Sequence, residues 1–238
     1  MLPEKLISEF VERVRAAAGA NLKSVILYGS AAASEYVPEY SDLNLLCVFG
    51  ETSFAAIANL APTVEWWARQ KHRAPLLMTV EELRRGSDVF SIEFLDMQRS
   101  YRVLWGEDLL KDLDIPMKLH RAQVEYELRE KTILLRQRLL VVAGDEGAKW
   151  DLLLWSVPAF GTLARHALIA AGEATAVSKR EAVEKLAAKA GFDASAILQV
   201  IDLRHGKLDR KSLNVDDVFA RCLKAVERIT ASVDEMLD

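Results

Sequence analysis

The sequence predicts an α+β protein in which a small mixed sheet with flanking helices is followed by an all-helical up-and-down bundle. Short apolar runs bounded by turn residues, the pattern of buried strands, occur before residue 106. After Pro116 the apolar residues recur at helical spacing alone. We therefore expect an α/β domain over residues 1–114 and a helical domain over residues 115–238. The 238 residues, 51% of them apolar, can form both cores.

The elements of the first domain follow from the spacing of their apolar residues. The first helix, residues 3–18, has Pro3 in its first turn and Gly19 beyond its end. The pattern then predicts, in order, strands at Val25–Tyr28 and Leu43–Phe49, a helix at Ser53–Gln70, a strand at Ala74–Thr79, helices at Glu81–Arg85 and Ile92–Arg99, a strand at Tyr101–Trp105, and a helix beginning at Glu107–Leu110.

Five helices with short connections are predicted for the second domain. The most apolar of them, Trp150–Ala171, is expected at the centre of the bundle, and Arg165 within it argues against a membrane span. Ser178 is expected to cap its helix, with Glu181 three residues later completing a capping box. The predicted helices are Met117–Val142, Trp150–Ala171, Ser178–Ala190, Ala194–Leu203 and Val215–Leu237.

Two polar motifs lie at the facing ends of the first two predicted strands. Gly29-Ser30 follows the first strand, and Asp42-Leu43-Asn44 opens the second. Strand alternation places Asp42 and Asn44 on the same face. Gly29 lets a ligand approach the backbone closely, and Ser30 opens a short helical segment whose N–H groups can face an anion.

This layout resembles the nucleotidyltransferase superfamily, the fold of the aminoglycoside-modifying nucleotidyltransferases and their minimal relatives. The family pattern is Gly-Ser after one strand, then two carboxylates spaced by one residue at the start of the next. The resemblance implies an NTP substrate, a hydroxyl acceptor, and Mg²⁺ held between carboxylates and phosphates. It implies that Asp42 is the catalytic residue, that Asp42 and Asn44 are the metal ligands, and that Gly29 and Ser30 bind the nucleotide.

The sequence departs from the family pattern at three places. Asn44 stands where the second carboxylate is expected, and Ala31–Ala33 occupy the region where the family has a basic residue. The predicted strand Ala74–Thr79 lacks the third carboxylate. Glu93 and Asp96, three residues apart on one helix face, are candidates for it, and a solvated helix face is the alternative. Affinity for Mg²⁺ is therefore expected to be weak or lost.

Three functions stay open from the sequence. The first is an active nucleotidyltransferase. The second is a catalytically lapsed protein, a pseudoenzyme, that still binds a nucleotide or another small ligand. The third is an interaction module whose helical bundle binds a partner, including a second copy in a homo-oligomer. The Lys- and Arg-rich helix Met117–Val142 could hold a triphosphate, or its charges could pair along the helix at four-residue spacing.

Charge and cysteine usage narrow the class of protein. The net charge of −4 and pI of about 5.7 disfavour a generic nucleic-acid binder. Residues 1–114 hold 12 Lys and Arg against 17 Asp and Glu. Cys47 and Cys222 lie far apart in apolar surroundings, as buried reduced thiols of a cytosolic protein do. The first residues lack a secretory apolar core, so a cytoplasmic location is expected.

Overall fold

The computed structural model describes residues 2–33, 40, 42–173 and 177–235. The chain divides into two compact units, Met1–Pro116 and Met117–Asp238. The first unit contains, in chain order, α1 (Glu4–Ala18), β1 (Leu22–Tyr28), β2 (Asn44–Phe49), α2 (Phe54–Arg69), β3 (Leu76–Thr79), α3 (Val80–Arg85), α4 (Ser91–Arg99) and β4 (Tyr101–Gly106). The second contains α5 (His120–Val142), α6 (Glu146–Ala170), α7 (Lys179–Ala190), α8 (Ser195–Arg204) and α9 (Val215–Asp234).

The strands form the small mixed sheet that the sequence predicts. Their order is β3-β2-β1-β4. β1 pairs antiparallel with both β2 and β4, whereas β2 and β3 run parallel. In this register Tyr28, the last residue of β1, lies between Asn44 of β2 and Tyr101 of β4. The end of β1 and the start of β2 therefore meet at one edge of the sheet.

Alternation along the strands gives the sheet two separately packed faces. Leu27 and Leu45 pack with Phe10 of α1 and Trp67 of α2 on one face. On the other face Ile26, Leu46 and Val48 pack with Leu83 of α3 and with Phe94 and Met97 of α4. Asn44 lies two residues before Leu46 and, by the same alternation, belongs to the second face.

The second unit is a helical bundle with α6 at its centre. Fourteen of the 25 residues of α6 are buried, against five of 23 in α5, which confirms that the most apolar helix is the most buried. By length and composition α6 could cross a membrane, but 61% of its most apolar window is buried inside the protein. The capping box at Ser178 and Glu181 is present as predicted.

The predicted helix at Glu107–Leu110 is wrong. Gly106 ends β4 with φ +84°, and a Cβ placed there would lie 2.1 Å from the Lys23 carbonyl oxygen. The Glu107 N–H then donates to that same oxygen at 3.1 Å. These bonds to β1 hold the chain extended, and the next helix begins only at His120.

Candidate functional site

The turn after β1 depends on Gly29. Its φ is +75°, in the left-handed region that favours glycine. Its N–H donates to the Ser100 carbonyl at 3.1 Å, and its carbonyl accepts from the N–H groups of Ala32 and Ala33, both at 3.0 Å. A Cβ at this position would lie 3.2 Å from Asn44 Nδ2. The absent side chain therefore lets the Asn44 amide lie directly against the turn.

Ser30 follows Gly29 in a single 3₁₀ turn, Gly29–Ala31, and is half-buried. Ala31 is buried, and the side of the turn that it occupies belongs to the core. Residues 34–39 and Ser41 of the motif region lie outside the described part of the chain. The structure thus brings Asn44 next to the Gly29 turn, and Ser30 is the second residue of that turn.

Asp42 pairs with a residue that the sequence reading did not include. Its Oδ2 lies 3.1 Å from Arg73 Nε, and its side chain is 32% exposed. The pairing follows from the topology: β3 runs parallel to β2, with Leu76 opposite Leu46. Extending that register toward the start of both strands brings the residues before β3 beside the residues before β2.

The segment that carries Arg73 is fixed by a buried tryptophan. The Trp67 indole N–H donates to the Arg73 carbonyl at 2.9 Å, and its ring centroid lies 4.4 Å from that of His72. Trp67 itself is fully buried and packs on Phe10. Burial lowers the pKa of His72, and the Asp42 carboxylate opposes the shift. Asp42, His72 and Arg73 therefore form one charged group at the edge of the sheet.

Tyr28 and Glu93 form a second polar group on the α4 side of the sheet. Tyr28 is the strand partner of Asn44. Burial raises the pKa of the Tyr28 hydroxyl, and the charge of Glu93 adds to the shift. Glu93 is exposed, and Asp96, one turn later on α4, is half-buried. Of the two candidates for a third carboxylate, Glu93 is the one whose charge acts on a residue beside the motif.

Glu93 also lines a groove of about 900 Å³ between β3, α3 and α4. Apolar side chains that include Leu77, Met78 and Phe94 line this groove together with the charged residues Glu81, Glu82 and Arg85. Its volume is within the range of small-molecule sites, but its lining is more highly charged than is usual for them. The groove lies along the outer edge of β3, on the face of the sheet to which Asn44 belongs.

The donor set of this region does not fit the Mg²⁺ site that the resemblance implies. Mg²⁺ in such sites is held by carboxylates together with substrate phosphates. Here one carboxylate, Asp42, is already paired with a guanidinium, and Asn44, two residues later, is an amide. β3 carries Leu, Leu, Met and Thr, without a carboxylate. Within the described ranges no three His, Cys, Asp or Glu side chains cluster as metal ligands would.

The other charged and thiol groups have structural roles. Arg129 Nε lies 2.9 Å from Glu125 Oε1, and Lys131 Nζ lies 2.6 Å from Glu127 Oε2, so these α5 charges pair along the helix. Cys47 and Cys222 are buried free thiols, and burial raises the pKa of each to about 12. Neither thiol has the exposure or the acidity of a reactive cysteine.

Comparison with known proteins identifies the fold. No protein-family model matches the chain, and a search of curated proteins finds no significant match. Eleven solved chains match, among them spectinomycin adenyltransferase AAD(9) from Enterococcus faecialis, determined with ATP and spectinomycin. That chain is 15% identical and superposes with a TM-score of 0.61 over 97% of this chain and 99% of its own. The chain therefore has the nucleotidyltransferase-like fold that the Gly29-Ser30 and Asp42-Leu43-Asn44 layout predicts.

Proposed function

We propose that this protein binds a nucleoside triphosphate beside the Gly29 turn and that its nucleotidyl transfer is slow or absent. The observation that carries the proposal is that the motif carboxylate, Asp42, is paired with an arginine. Asp42 lies 3.1 Å from Arg73 Nε, and Asn44 occupies the second carboxylate position. Nucleotide binding is supported by the fold and by the solved relative, whose structure contains ATP and spectinomycin.

The reason for slow transfer is electrostatic. Phosphoryl and nucleotidyl transfer depend on positioning and on neutralising the charge that develops on the phosphates. Replacing a carboxylate by an amide removes one negative charge from a site built for a divalent cation. The ion pair between Asp42 and Arg73 offsets the negative charge of the remaining carboxylate. The site as it stands has too little negative charge to hold the ion tightly.

The reason for retained binding is geometric. The Gly29 turn is held by backbone hydrogen bonds with Ser100, Ala32 and Ala33. None of these contacts needs a metal ion. A pocket shaped by this turn would therefore keep its form when metal affinity is lost.

Thermal-shift measurements with each NTP, in EDTA and in Mg²⁺, test the proposal. A ligand that binds the native state alone stabilises it in proportion to RT ln(1 + [L]/Kd), so even millimolar affinity is detectable. We expect an NTP to raise the melting temperature in EDTA. Absence of a shift at millimolar nucleotide in both buffers would rule out the nucleotide site.

The homo-oligomer expected through the helical bundle stays a prediction, and light scattering on the purified protein measures it.

A further inference from the structure

We propose that the segment Lys71-His72-Arg73, hereafter the basic loop, binds the phosphate chain of the nucleotide without a divalent metal, with Arg73 contacting the phosphate. The inference rests on the proposed nucleotide site beside Gly29 and adds the residues that hold its ligand. The basic loop leads into β3 at the edge of the sheet where β2 begins.

The position of Arg73 carries the proposal. Its guanidinium lies against Asp42, so a fixed positive charge is present at the carboxylate that the resemblance makes a metal ligand. Guanidinium has five donors in a planar fork that matches phosphate as well as carboxylate. Asp42 engages Nε, and the Arg73 side chain is 76% exposed, so a phosphate can approach the rest of the fork.

The basic loop is held in place, as a binding segment must be. Trp67 fixes it through the Arg73 carbonyl and the His72 ring, as described above. The Lys71 N–H donates to the Ala68 carbonyl at 2.9 Å. Lys71 has φ +65° and is the only non-glycine residue with positive φ among those the structure describes. It follows the C-cap of α2, where helices commonly end in the left-handed conformation, so the end of the helix also fixes where the basic loop begins.

The local charge also favours an anion. Lys71 and Arg73 are two basic residues within three positions, and Arg73 is the one paired with Asp42. Residues 1–114 as a whole are acidic, with 12 basic against 17 acidic side chains. The basic loop is therefore a short positively charged segment in a domain whose net charge is negative, and it lies next to the motif.

Calorimetric titration in EDTA with ATP and with inorganic tripolyphosphate tests the inference. Arg69, four residues before Arg73, provides a matched control. Its side chain is 73% exposed and lies 2.6 Å from the Glu65 carboxylate. We expect Arg73→Ala to weaken binding of both ligands at least about tenfold, the usual size of a lost charge-assisted hydrogen bond. Arg69→Ala should leave the affinity within about twofold. Arg73→Lys, which keeps the charge but not the fork, should lie between them.

The direction in which Asp42→Asn changes the affinity for ATP decides between Arg73 and a metal ion as the group that holds the phosphate. If Arg73 holds the phosphate, removing the competing carboxylate should tighten ATP binding in EDTA. If a metal ion holds it, the same substitution should weaken ATP binding in Mg²⁺, and binding in EDTA should be absent. That second result, or equal affinities for Arg73→Ala and Arg69→Ala, would overturn the inference and leave the nucleotide site standing. Failure of the native protein to bind either ligand in both buffers would overturn the site itself.

Discussion

Asp42 Oδ2 lies 3.1 Å from Arg73 Nε, and this pair joins the start of β2 to the segment before β3. Asp42 is the one carboxylate at the two positions where the family pattern has two. Its partner is the guanidinium of Arg73. An exposed ion pair of this kind contributes little to stability, about 0–1 kcal/mol. Its interest is therefore chemical, because the proposed function depends on whether this carboxylate is available to a metal ion.

Restoring the second carboxylate should improve metal binding. Asn44→Asp gives the motif two carboxylates two residues apart, so the affinity for Mn²⁺ in the presence of nucleotide should rise, as calorimetry can measure. Asn214→Asp is the matched control, since Asn214 caps α9 and aspartate caps helices equally well. If Asn44→Asp binds Mn²⁺ no better than this control, the missing charge is not what limits the site.

The Gly29 turn should be more sensitive to substitution than an ordinary left-handed glycine. Gly29→Ala meets both a positive φ and the Asn44 amide at 3.2 Å, whereas Gly191→Ala meets positive φ with nothing within 4 Å. The left-handed conformation alone costs about 1–2 kcal/mol. We expect Gly29→Ala to lower the free energy of unfolding by more than Gly191→Ala, measured by urea denaturation. Equal losses would show that the contact with Asn44 is unimportant.

Burial at the centre of the bundle predicts a large loss for Leu163→Ala. Leu163 is 2% exposed, and its truncation should cost about 2–4 kcal/mol through lost transfer energy and the cavity left behind. The control is Leu140→Ala on α5, where the side chain is 83% exposed and the change should stay below about 0.5 kcal/mol. Similar unfolding midpoints for the two variants would contradict the packing described for α6.

Stability should fall as the pH drops through the range in which His72 titrates. Its pKa is lowered in the folded protein, chiefly by burial, so the unfolded state takes up the proton first. Stability is therefore full above the ordinary histidine value of about 6.5 and declines below it, down to the folded-state pKa. His72→Gln should reduce the dependence of the melting temperature on pH between about 7.5 and 5.5. His205→Gln, at an exposed histidine, provides the comparison.

Local pattern was sufficient to predict most of the fold and to single out the residues of the motif, but not the contacts that those residues make. Strand alternation and the Gly-Ser turn are local features, so the first two strands and the turn at Gly29 could be predicted from the sequence. The capping box at Ser178 is equally local. These features depend on residues at most a few positions apart, except for the pairing of two neighbouring strands.

The rest depends on contacts between distant residues. Arg73 lies 31 positions after Asp42, and only the parallel pairing of β2 and β3 brings the two together. The basic run Lys71-His72-Arg73 before a predicted strand was the available signal. The helix expected at Glu107 is absent for a similar reason, since its N–H bonds to Lys23 on β1. Helical propensity over four residues is a weaker influence than such a bond.

Pyrophosphate release by the native protein, with each NTP and either Mg²⁺ or Mn²⁺, tests the central claim most directly. If Asp42 is held by Arg73 and Asn44 leaves the site short of one charge, release should not exceed that of an Asp42→Ala variant. The same result is expected even at NTP concentrations that stabilise the protein against heat. Robust release by the native protein that Asp42→Ala abolishes would contradict the account and establish an active nucleotidyltransferase.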